Sequence, residues 1–238
     1  MTAYIAPTAS CETALVLDCE QMTVRQINVE LRAAPEGSTV RIVHPKGRHN
    51  MAVGLIKHLD ISFEGSVGHY IGGLCDGVNI TVDGFCGWAV GENLMNGQIR
   101  VTGNASERAG ATAHGGLIIV EGDASTRAGI SLKGANVAVA GDVGDFSMFM
   151  AQAGVLLVGG NAGEALGDSI YEAVIYVAGE IKSLGSDARI EDLTEADIAV
   201  VADLCEASGF THIEAGNVKR VASAKQFYNF DALKAQKY

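Results

Sequence analysis

Glycines spaced 19 residues apart run through the middle of the chain and constrain its fold more than any other feature. Seven of them form one series: Gly65, Gly84, Gly103, Gly122, Gly141, Gly160 and Gly179. An internal period near 20 residues is typical of a solenoid, in which each repeat forms one coil that stacks on the next. The series therefore predicts a repetitive rod rather than a globular domain around a central pocket.

Apolar residues recur at fixed distances from each glycine. Four residues before it stand Ile61, Ile80, Ile99, Ile118, Val137, Leu156 and Ile175, and two residues before it stand Phe63, Val82, Val101, Val120, Val139, Val158 and Val177. Alternate residues of a strand point to one face, so each pair is expected to be buried together. Small or apolar residues also follow each glycine by two positions, from Val67 and Cys86 to Ile181. Each coil is therefore expected to contribute one strand and a tight corner around a narrow interior.

These patterns predict an all-β fold: a right-handed parallel β-helix with a 19-residue repeat, about seven coils and short capping helices near both ends. A left-handed hexapeptide solenoid would need a third aliphatic position in each coil, where Gly73, Glu92 and Asp168 stand instead. A calcium-binding nonapeptide roll fits poorly as well, because its Gly-Gly-x-Gly-x-Asp pattern is absent.

A second glycine follows the first by seven residues in most coils. It is present as Gly72, Gly91, Gly110, Gly129 and Gly167, whereas Met148 and Ser186 interrupt the column. Asn or Asp directly follows four glycines of the first series, and these residue types favour turns. We therefore interpret the seven glycines of the first series as structural turn glycines, and a substitution at Gly122 is expected to disrupt the corner if that glycine has a positive φ.

The chain divides into three predicted regions. Residues 1–58 form an N-terminal cap with a short helix and a first strand, residues 59–192 form the parallel β-helix, and residues 193–238 form a C-terminal helix followed by a basic aromatic tail. Thr23 and Gln26 form a capping box before a helix predicted over residues 24–33. Thr194 with Asp197 begins the second helix, and we expect both helices to cap the ends of the rod.

The residue between the paired apolar positions changes character along the rod. It is polar in early coils, as at Ser62 and Thr81, and apolar in later ones, as at Ile119 and Leu157. We therefore expect another element to cover this face in the middle coils.

Composition excludes several functional classes. The net charge of −11 opposes binding to nucleic acid or an anionic membrane. Five cysteines without a Cys-x-x-Cys motif oppose a disulfide framework or a zinc site and favour the cytoplasm. The start of the chain lacks the features of a secretory signal, and no apolar run approaches transmembrane length.

The last 20 residues are basic, unlike the rest of the chain. Residues 219–238 contain five lysines or arginines and one aspartate, interleaved with aromatic residues such as Phe227 and Tyr228. Two alternatives remain open: the tail folds back along the acidic rod, or it docks on a partner.

Few residue clusters suggest chemistry. His44, His49 and His58 are either metal ligands or solvated, partner-facing side chains, and a structural hydrogen bond is the default for His114. Arg108 and Arg127 occupy equivalent positions in adjacent coils, so either neighbouring carboxylates or an acidic partner must neutralise them. The candidate interface residues are Arg108, Arg127, His114, Asp168, Tyr171, Phe227 and Tyr228.

Catalysis by this chain alone is disfavoured. The coils keep their 19-residue length from Gly65 to Gly179, so no inserted loop is available to build a cleft. The glycines lack the strand–loop–helix context of a phosphate-binding loop. We therefore assign no catalytic, cofactor-binding or metal-binding residue. An acid–base role for Asp168 and Tyr171 remains the alternative, within a free-standing enzyme or ligand-binding rod.

The repeat resembles the β-helix (GXGXG) domain at the C-terminus of the glutamate synthase large subunit. It is more similar to the stand-alone version of that domain, which is the β-helix subunit of N-methylglutamate synthase (methylamine–glutamate N-methyltransferase). The segments that carry the resemblance are residues 103–106, 109–116, 121–123, 129–134, 150–154, 167–172 and 223–230. The glycine pattern alone would also fit the β-helix subunit of formylmethanofuran dehydrogenase.

The resemblance implies a non-catalytic β-helix subunit in a hetero-oligomer. Its partners would be a glutaminase-like subunit and an FMN-binding, glutamate synthase-like subunit that also carries an iron–sulfur cluster. The complex would form N-methylglutamate and ammonia from methylamine and glutamate, and the β-helix would help to organise the passage of ammonia or amine. No cofactor is implied for this chain itself.

Overall fold

The computed structural model describes residues 14–225, across which one continuous sheet is built from short strands. The strands are β1 (Leu15–Asp18), β2 (Thr39–Val43), β3 (Asp60–Glu64), β4 (Asp76–Val82), β5 (Asn96–Val101), β6 (Leu117–Val120), β7 (Lys133–Val139), β8 (Ala153–Val158), β9 (Val174–Val177), β10 (Ala188–Glu191) and β11 (Lys219–Ser223). The helices are α1 (Val24–Ala33) and α2 (Glu195–Ser208), and a 3₁₀ turn spans Ala215–Asn217.

Strands β1 to β9 lie side by side in chain order, and every neighbouring pair is parallel. The register follows the repeat, because Ile61 pairs with Ile80 and Ile80 pairs with Ile99. A second line of parallel bridges, beginning with Val67 and Cys86, repeats the same step on another side of the coil. The predicted parallel β-solenoid with about seven turns is therefore confirmed, while its right-handed sense stays a prediction.

The predicted apolar columns fill the interior of the rod. Phe63, Val82 and Ile99 are fully buried, and Ile61 is 3% exposed. One hydrophobic cluster runs without interruption from Leu17 to Val221 and crosses the boundary predicted near residue 58. Burying an aliphatic side chain of this size contributes roughly 1.5–3 kcal/mol, so each coil adds stability only when its neighbours cover it.

Close approach of neighbouring coils explains the first glycine series from Gly103 to Gly179, whereas Gly65 and Gly84 have the positive φ of turn glycines, at 129° and 143°. The condition of a positive φ is not met at Gly122, whose backbone lies outside the left-handed region. A Cβ at Gly122 would instead lie 2.1 Å from Asn104 Oδ1 and 2.9 Å from the Gly103 carbonyl carbon. The residue is glycine because a neighbouring coil occupies the space of a side chain.

The Asn and Asp residues after these glycines form a ladder along the rod. Asn104 Oδ1 accepts a 2.9 Å hydrogen bond from the Asp123 amide, and Asp123 Oδ1 accepts a 2.8 Å bond from the Asp142 amide. The pattern continues through Asn161 to the amide of Glu180. Each side chain therefore satisfies a backbone donor one coil further on, beyond the local turn role predicted for it.

The second glycine column does adopt left-handed backbone. Gly110 has a φ of 70° and Gly129 a φ of 66°. Met148 interrupts the glycine column but keeps the same conformation, with a φ of 61°, and its side chain is fully buried. The corner therefore imposes this conformation even where the residue does not favour it.

Helix α1 covers the N-terminal end of the rod, as predicted. Thr23 and Gln26 form both halves of the capping box. Ile27 and Leu31 are fully buried within the interior cluster. Asn28 Nδ2 also donates a 2.7 Å hydrogen bond to the Asn50 carbonyl, which fixes the helix against the first coil.

Helix α2 forms where predicted but does not cap the end of the rod. Thr194 caps it, and Gly209 ends it in left-handed backbone with a φ of 77°. Its buried residues Val201 and Leu204 pack against the outer face of the sheet, in a cluster with Ile119, Ala138, Leu157 and Tyr176. The expectation of an end cap is therefore wrong for α2, because its buried side chains pack on the apolar outer face of the later coils. The predicted cover over those coils is confirmed.

A buried polar network fastens α2 to the sheet. Tyr176 Oη donates a 2.6 Å hydrogen bond to Asp197 Oδ1, and Arg220 Nε donates to the same oxygen at 2.9 Å. The other oxygen of Asp197 accepts from Thr194. Burial alone would raise the pKa of Asp197, but the hydrogen bonds from Thr194 and Tyr176 outweigh it and hold this pKa below its ordinary value.

The C-terminal end of the sheet changes direction. Strand β11 pairs antiparallel with β9 on one side and with β10 on the other. The basic residues described in this region form ion pairs: Lys219 with Glu180, Arg220 with Glu191, and Lys225 with Asp187. The tail thus folds back onto acidic coils as far as residue 225, while Phe227 and Tyr228 lie outside the described residues.

Neither helix within residues 14–225 is long and apolar enough to cross a membrane.

Replacing Gly122 with alanine tests the stacking constraint. We expect Gly122→Ala to lower the free energy of unfolding by about 1–3 kcal/mol, because the added methyl must push neighbouring coils apart. Urea denaturation measures this loss. Gly216→Ala is the control, since a Cβ there meets nothing within 4 Å. Equal stability of the two variants would contradict the close-approach explanation.

Replacing Asp197 tests the buried network. Asp197→Asn should destabilise the protein by about 1.5–3 kcal/mol at neutral pH, since charged hydrogen bonds to Tyr176 and Arg220 are weakened. Because the folded state lowers the pKa of Asp197, its contribution is complete above the ordinary value of 3.8 and is lost as the pH falls below it. Unfolding measured from pH 7 down to pH 2 should therefore show the wild type converging on the variant at the acid end. Asp203→Asn, at an exposed position of the same helix, is the control, and an equal loss in both variants would count against the network.

Candidate functional site

The strongest candidate for a functional surface is one corner of the rod, centred on Arg108 and Arg127. The two residues occupy equivalent positions in adjacent coils and share left-handed backbone, with φ values of 62° and 60°. Tyr70, Ala89 and Phe146 have the same conformation at the same position of other coils, so it belongs to the fold rather than to a particular site. The coil geometry thus places both guanidinium groups on one edge.

Neighbouring carboxylates do not neutralise these arginines within residues 14–225. Neither arginine has a carboxylate oxygen within 4.0 Å, although Glu107 directly precedes Arg108. The sequence left two alternatives open for the neutralisation of these arginines. The first, neutralisation by neighbouring carboxylates, is not found in the described part of the chain.

Aromatic rings contact the arginines instead. The Arg108 guanidinium lies over the Trp88 ring, 5.3 Å from its centroid, and the Arg127 guanidinium lies 5.8 Å from the centroid of Phe146. Such cation–π contacts contribute about 0.5–1 kcal/mol at exposed sites. Trp88 is 43% exposed and Phe146 is 40% exposed, so both rings still present surface to solvent. We call the set Trp88, Arg108, Arg127 and Phe146 the arginine–aromatic edge.

A stack of rings continues this edge towards the N-terminus. His49 and His69 stack with their centroids 4.2 Å apart, and His69 stacks on Trp88 at 5.0 Å. The Nδ1 atoms of His49 and His69 each accept a 2.9 Å hydrogen bond from a backbone amide of the next coil. Both imidazoles must therefore carry their proton on Nε2, and both serve as coil-to-coil acceptors.

The three histidines near the N-terminus do not converge on one site. His49 belongs to the ring stack, and His58 donates to the Gly77 carbonyl at 3.2 Å. His44 donates to Asp18 at 3.0 Å, and hydrogen bonding to this carboxylate raises the pKa of His44. Glu20 completes a group of three potential metal ligands with Asp18 and His44, but the Lys46 ammonium already pairs with Glu20. We therefore interpret this exposed group as a cluster of ion pairs rather than a metal site.

The described cysteines do not fit a metal or iron–sulfur site. Cys19, Cys75, Cys86 and Cys205 are all free thiols, and none belongs to a group of metal-binding side chains within residues 14–225. Burial raises the pKa of Cys86 to about 12 and also raises the pKa of Cys75. Protonated, buried thiols are poor metal ligands, so these side chains act as core residues.

The other predicted site residues stand at other positions of the repeat than Arg108 and Arg127. The His114 side chain is exposed and has no hydrogen bond to a described residue, whereas its backbone amide donates a hydrogen bond to the Leu94 carbonyl. Asp168 accepts hydrogen bonds from Ser169 at 2.8 Å and from the Ser186 amide at 3.3 Å, which gives it a structural role.

Tyr171 is 47% exposed and lines an open groove of about 520 Å³ with Lys133, Met150 and Glu172. The structure thus does not bring Asp168, Tyr171 and His114 together with the arginines. Trp88 and Phe146, which contact the arginines, were not among the interface residues predicted from the sequence. Their signal was present, because Trp88 stands 20 residues before Arg108 and Phe146 stands 19 residues after Arg127.

Comparison with known proteins gives one relationship over nearly the full length. No family model matches the chain. It is similar to "Protein GlxC" of Rhizobium meliloti (strain 1021), with 46% identity over 226 residues that cover 94% of this chain and 99% of that protein. Identity at this level over whole chains implies a shared fold.

The contact between Arg108 and Trp88 can be tested with fluorescence, since Trp88 is the sole tryptophan of the chain. Arg108→Ala should increase the quenching of Trp88 emission by acrylamide, because the guanidinium no longer covers one ring face. The loss in unfolding free energy should stay below about 1 kcal/mol, the upper range for an exposed cation–π pair. Arg25→Ala, on α1, is the control, and unchanged quenching in Arg108→Ala would contradict the contact.

Proposed function

The chain belongs to the family of Protein GlxC, and from this premise we propose that it is a non-catalytic structural subunit of a glutamate synthase-like complex. In the finer proposal the complex forms N-methylglutamate and ammonia from methylamine and glutamate in the cytoplasm. This subunit holds a glutaminase-like subunit and an FMN-binding synthase-like subunit together and helps to organise the passage of ammonia or amine. FMN and the iron–sulfur cluster belong to the partner. The resemblance of the repeat segments to the glutamate synthase β-helix supports this proposal.

The observation that carries the proposal is the uniformity of the coils. The 19-residue register holds from β3 to β9 apart from shifts at the starts of β4 and β7, so no loop leaves the rod to form the walls of a catalytic cleft. The polar side chains at the corners are used within the rod, as Asn104 and Asp168 show by accepting backbone hydrogen bonds from the next coil. A surface of this kind is suited to holding other proteins rather than to enclosing a substrate.

Native purification tests the scaffold role. The full chain, tagged and expressed in its own cells, should be recovered with two larger proteins, one of which is yellow from bound flavin. The recovered complex should convert methylamine and glutamate to N-methylglutamate and ammonia. A stable monomer that associates with neither protein would contradict the proposal, and recovery with molybdopterin-containing proteins would favour the formylmethanofuran dehydrogenase alternative.

Two substitutions separate the scaffold from a free-standing enzyme. Asp168→Asn and Tyr171→Phe should leave turnover by the complex within about twofold, because an amide oxygen can still accept the bond from Ser186. Loss of turnover with the complex intact would instead assign these side chains to catalysis.

A further inference from the structure

Unpaired positive charge is rare on this rod and is concentrated on one edge. Within residues 14–225, four cationic side chains have neither an ion pair nor a side-chain hydrogen bond: Arg25, Arg108, Arg127 and Lys133. Of these, only Arg108 and Arg127 lie at equivalent positions of adjacent coils, whose backbones are about 4.8 Å apart. Their guanidinium groups contact rings of opposite neighbouring coils, Trp88 before them and Phe146 after them, and neither meets a carboxylate within residues 14–225, so the edge favours an added negative charge.

The Arg108 side chain is held in a fixed position in which it can contact an anionic group. Trp88 supports one face of its guanidinium, and its Nε is buried without a hydrogen-bond partner. A buried unsatisfied donor costs about 1–3 kcal/mol, which the rod tolerates here. Because the side chain is packed in place, little conformational entropy is lost when its terminal nitrogens bind an anionic group.

Apolar surface flanks the two charges. Trp88 precedes them and Phe146 follows them, so the arginine–aromatic edge spans four consecutive coils, or roughly 14 Å at the strand spacing. Phe149 packs edge-on against Phe146, with the centroids 6.2 Å apart, and broadens the apolar end. Exposed tryptophan and arginine are the residue types that most often dominate protein–protein binding energy.

We propose that the arginine–aromatic edge binds an acidic, partly apolar segment of a partner subunit. The length of the edge corresponds to about four to five residues of extended chain. The segment would place carboxylates on Arg108 and Arg127 and apolar side chains on Trp88 and Phe146. A second copy of this chain is a weaker candidate, because two rods of net charge −11 repel each other. The inference rests on the proposed scaffold function, whose partners would supply the segment.

The first experiment uses the complex. Arg108→Glu/Arg127→Glu should weaken association with the partner subunits at least tenfold, and the remaining association should depend less on salt between 50 and 200 mM NaCl. The control is Arg25→Glu/Lys133→Glu, which makes the same charge change at the two other unpaired cations and should alter affinity by less than twofold. Equal affinity of the two double variants would overturn the proposal. If the wild-type chain recruits no partner at all, the scaffold function fails, and the second experiment decides the inference separately.

The second experiment uses the full-length chain and the peptide acetyl-Leu-Glu-Leu-Glu-Leu-amide. Binding should change Trp88 emission, and the matched peptide with glutamine in place of glutamate should bind at least tenfold more weakly. Arg108→Gln/Arg127→Gln, which avoids introducing repulsive charge, should lose this preference while still unfolding in a single cooperative transition. Equal binding of the two peptides would overturn the acidic assignment. Concentration-dependent self-association that disappears in the glutamine variant would assign the edge to a second copy of the chain.

Discussion

The structure depends on the close approach of neighbouring coils that repeat every 19 residues. At Gly122 the adjacent coil occupies the space that a Cβ would need, and at Asn104 a side-chain oxygen satisfies an amide of the next coil. These two contacts hold the backbones at strand spacing, which in turn lets the columns headed by Ile61 and Phe63 fill a narrow interior. A coil with an inserted residue or a larger corner side chain would shift both columns.

Because the coils stack closely, we expect the protein to function through the outer surface of the rod. A narrow interior packed with aliphatic side chains has no room for a ligand, and coils of constant length have no loops to form a cleft. The middle of the sheet face is covered by α2, which Asp197 fastens through Tyr176 and Arg220. The arginine–aromatic edge combines unpaired charge with exposed rings, and this combination, rather than any catalytic group, distinguishes it from the other corners.

Local and periodic features were predictable from sequence, whereas contacts between distant segments were not. The strand columns, the capping boxes at Thr23 and Thr194, and the stop at Gly209 depend on residues close in sequence or 19 apart. The position of α2 depends on which apolar surface its buried side chains contact, which spacing alone does not reveal. The role of Gly122 was misjudged because glycine serves close approach as well as positive φ. The pairing of Trp88 with Arg108 was missed because it joins two different positions of adjacent coils.

Hydroxyl-radical footprinting of Trp88 and Phe146 tests most directly whether the rod acts through its outer surface. Oxidation of both side chains would be measured by mass spectrometry in the free chain and in the purified native complex, with exposed Ile56, on the first coil, as an internal reference. If the rod binds its partners through this edge, the oxidation of Trp88 and Phe146 should fall severalfold in the complex, while that of Ile56 should not. Equal oxidation of Trp88 and Phe146 in the two states would contradict binding through this edge.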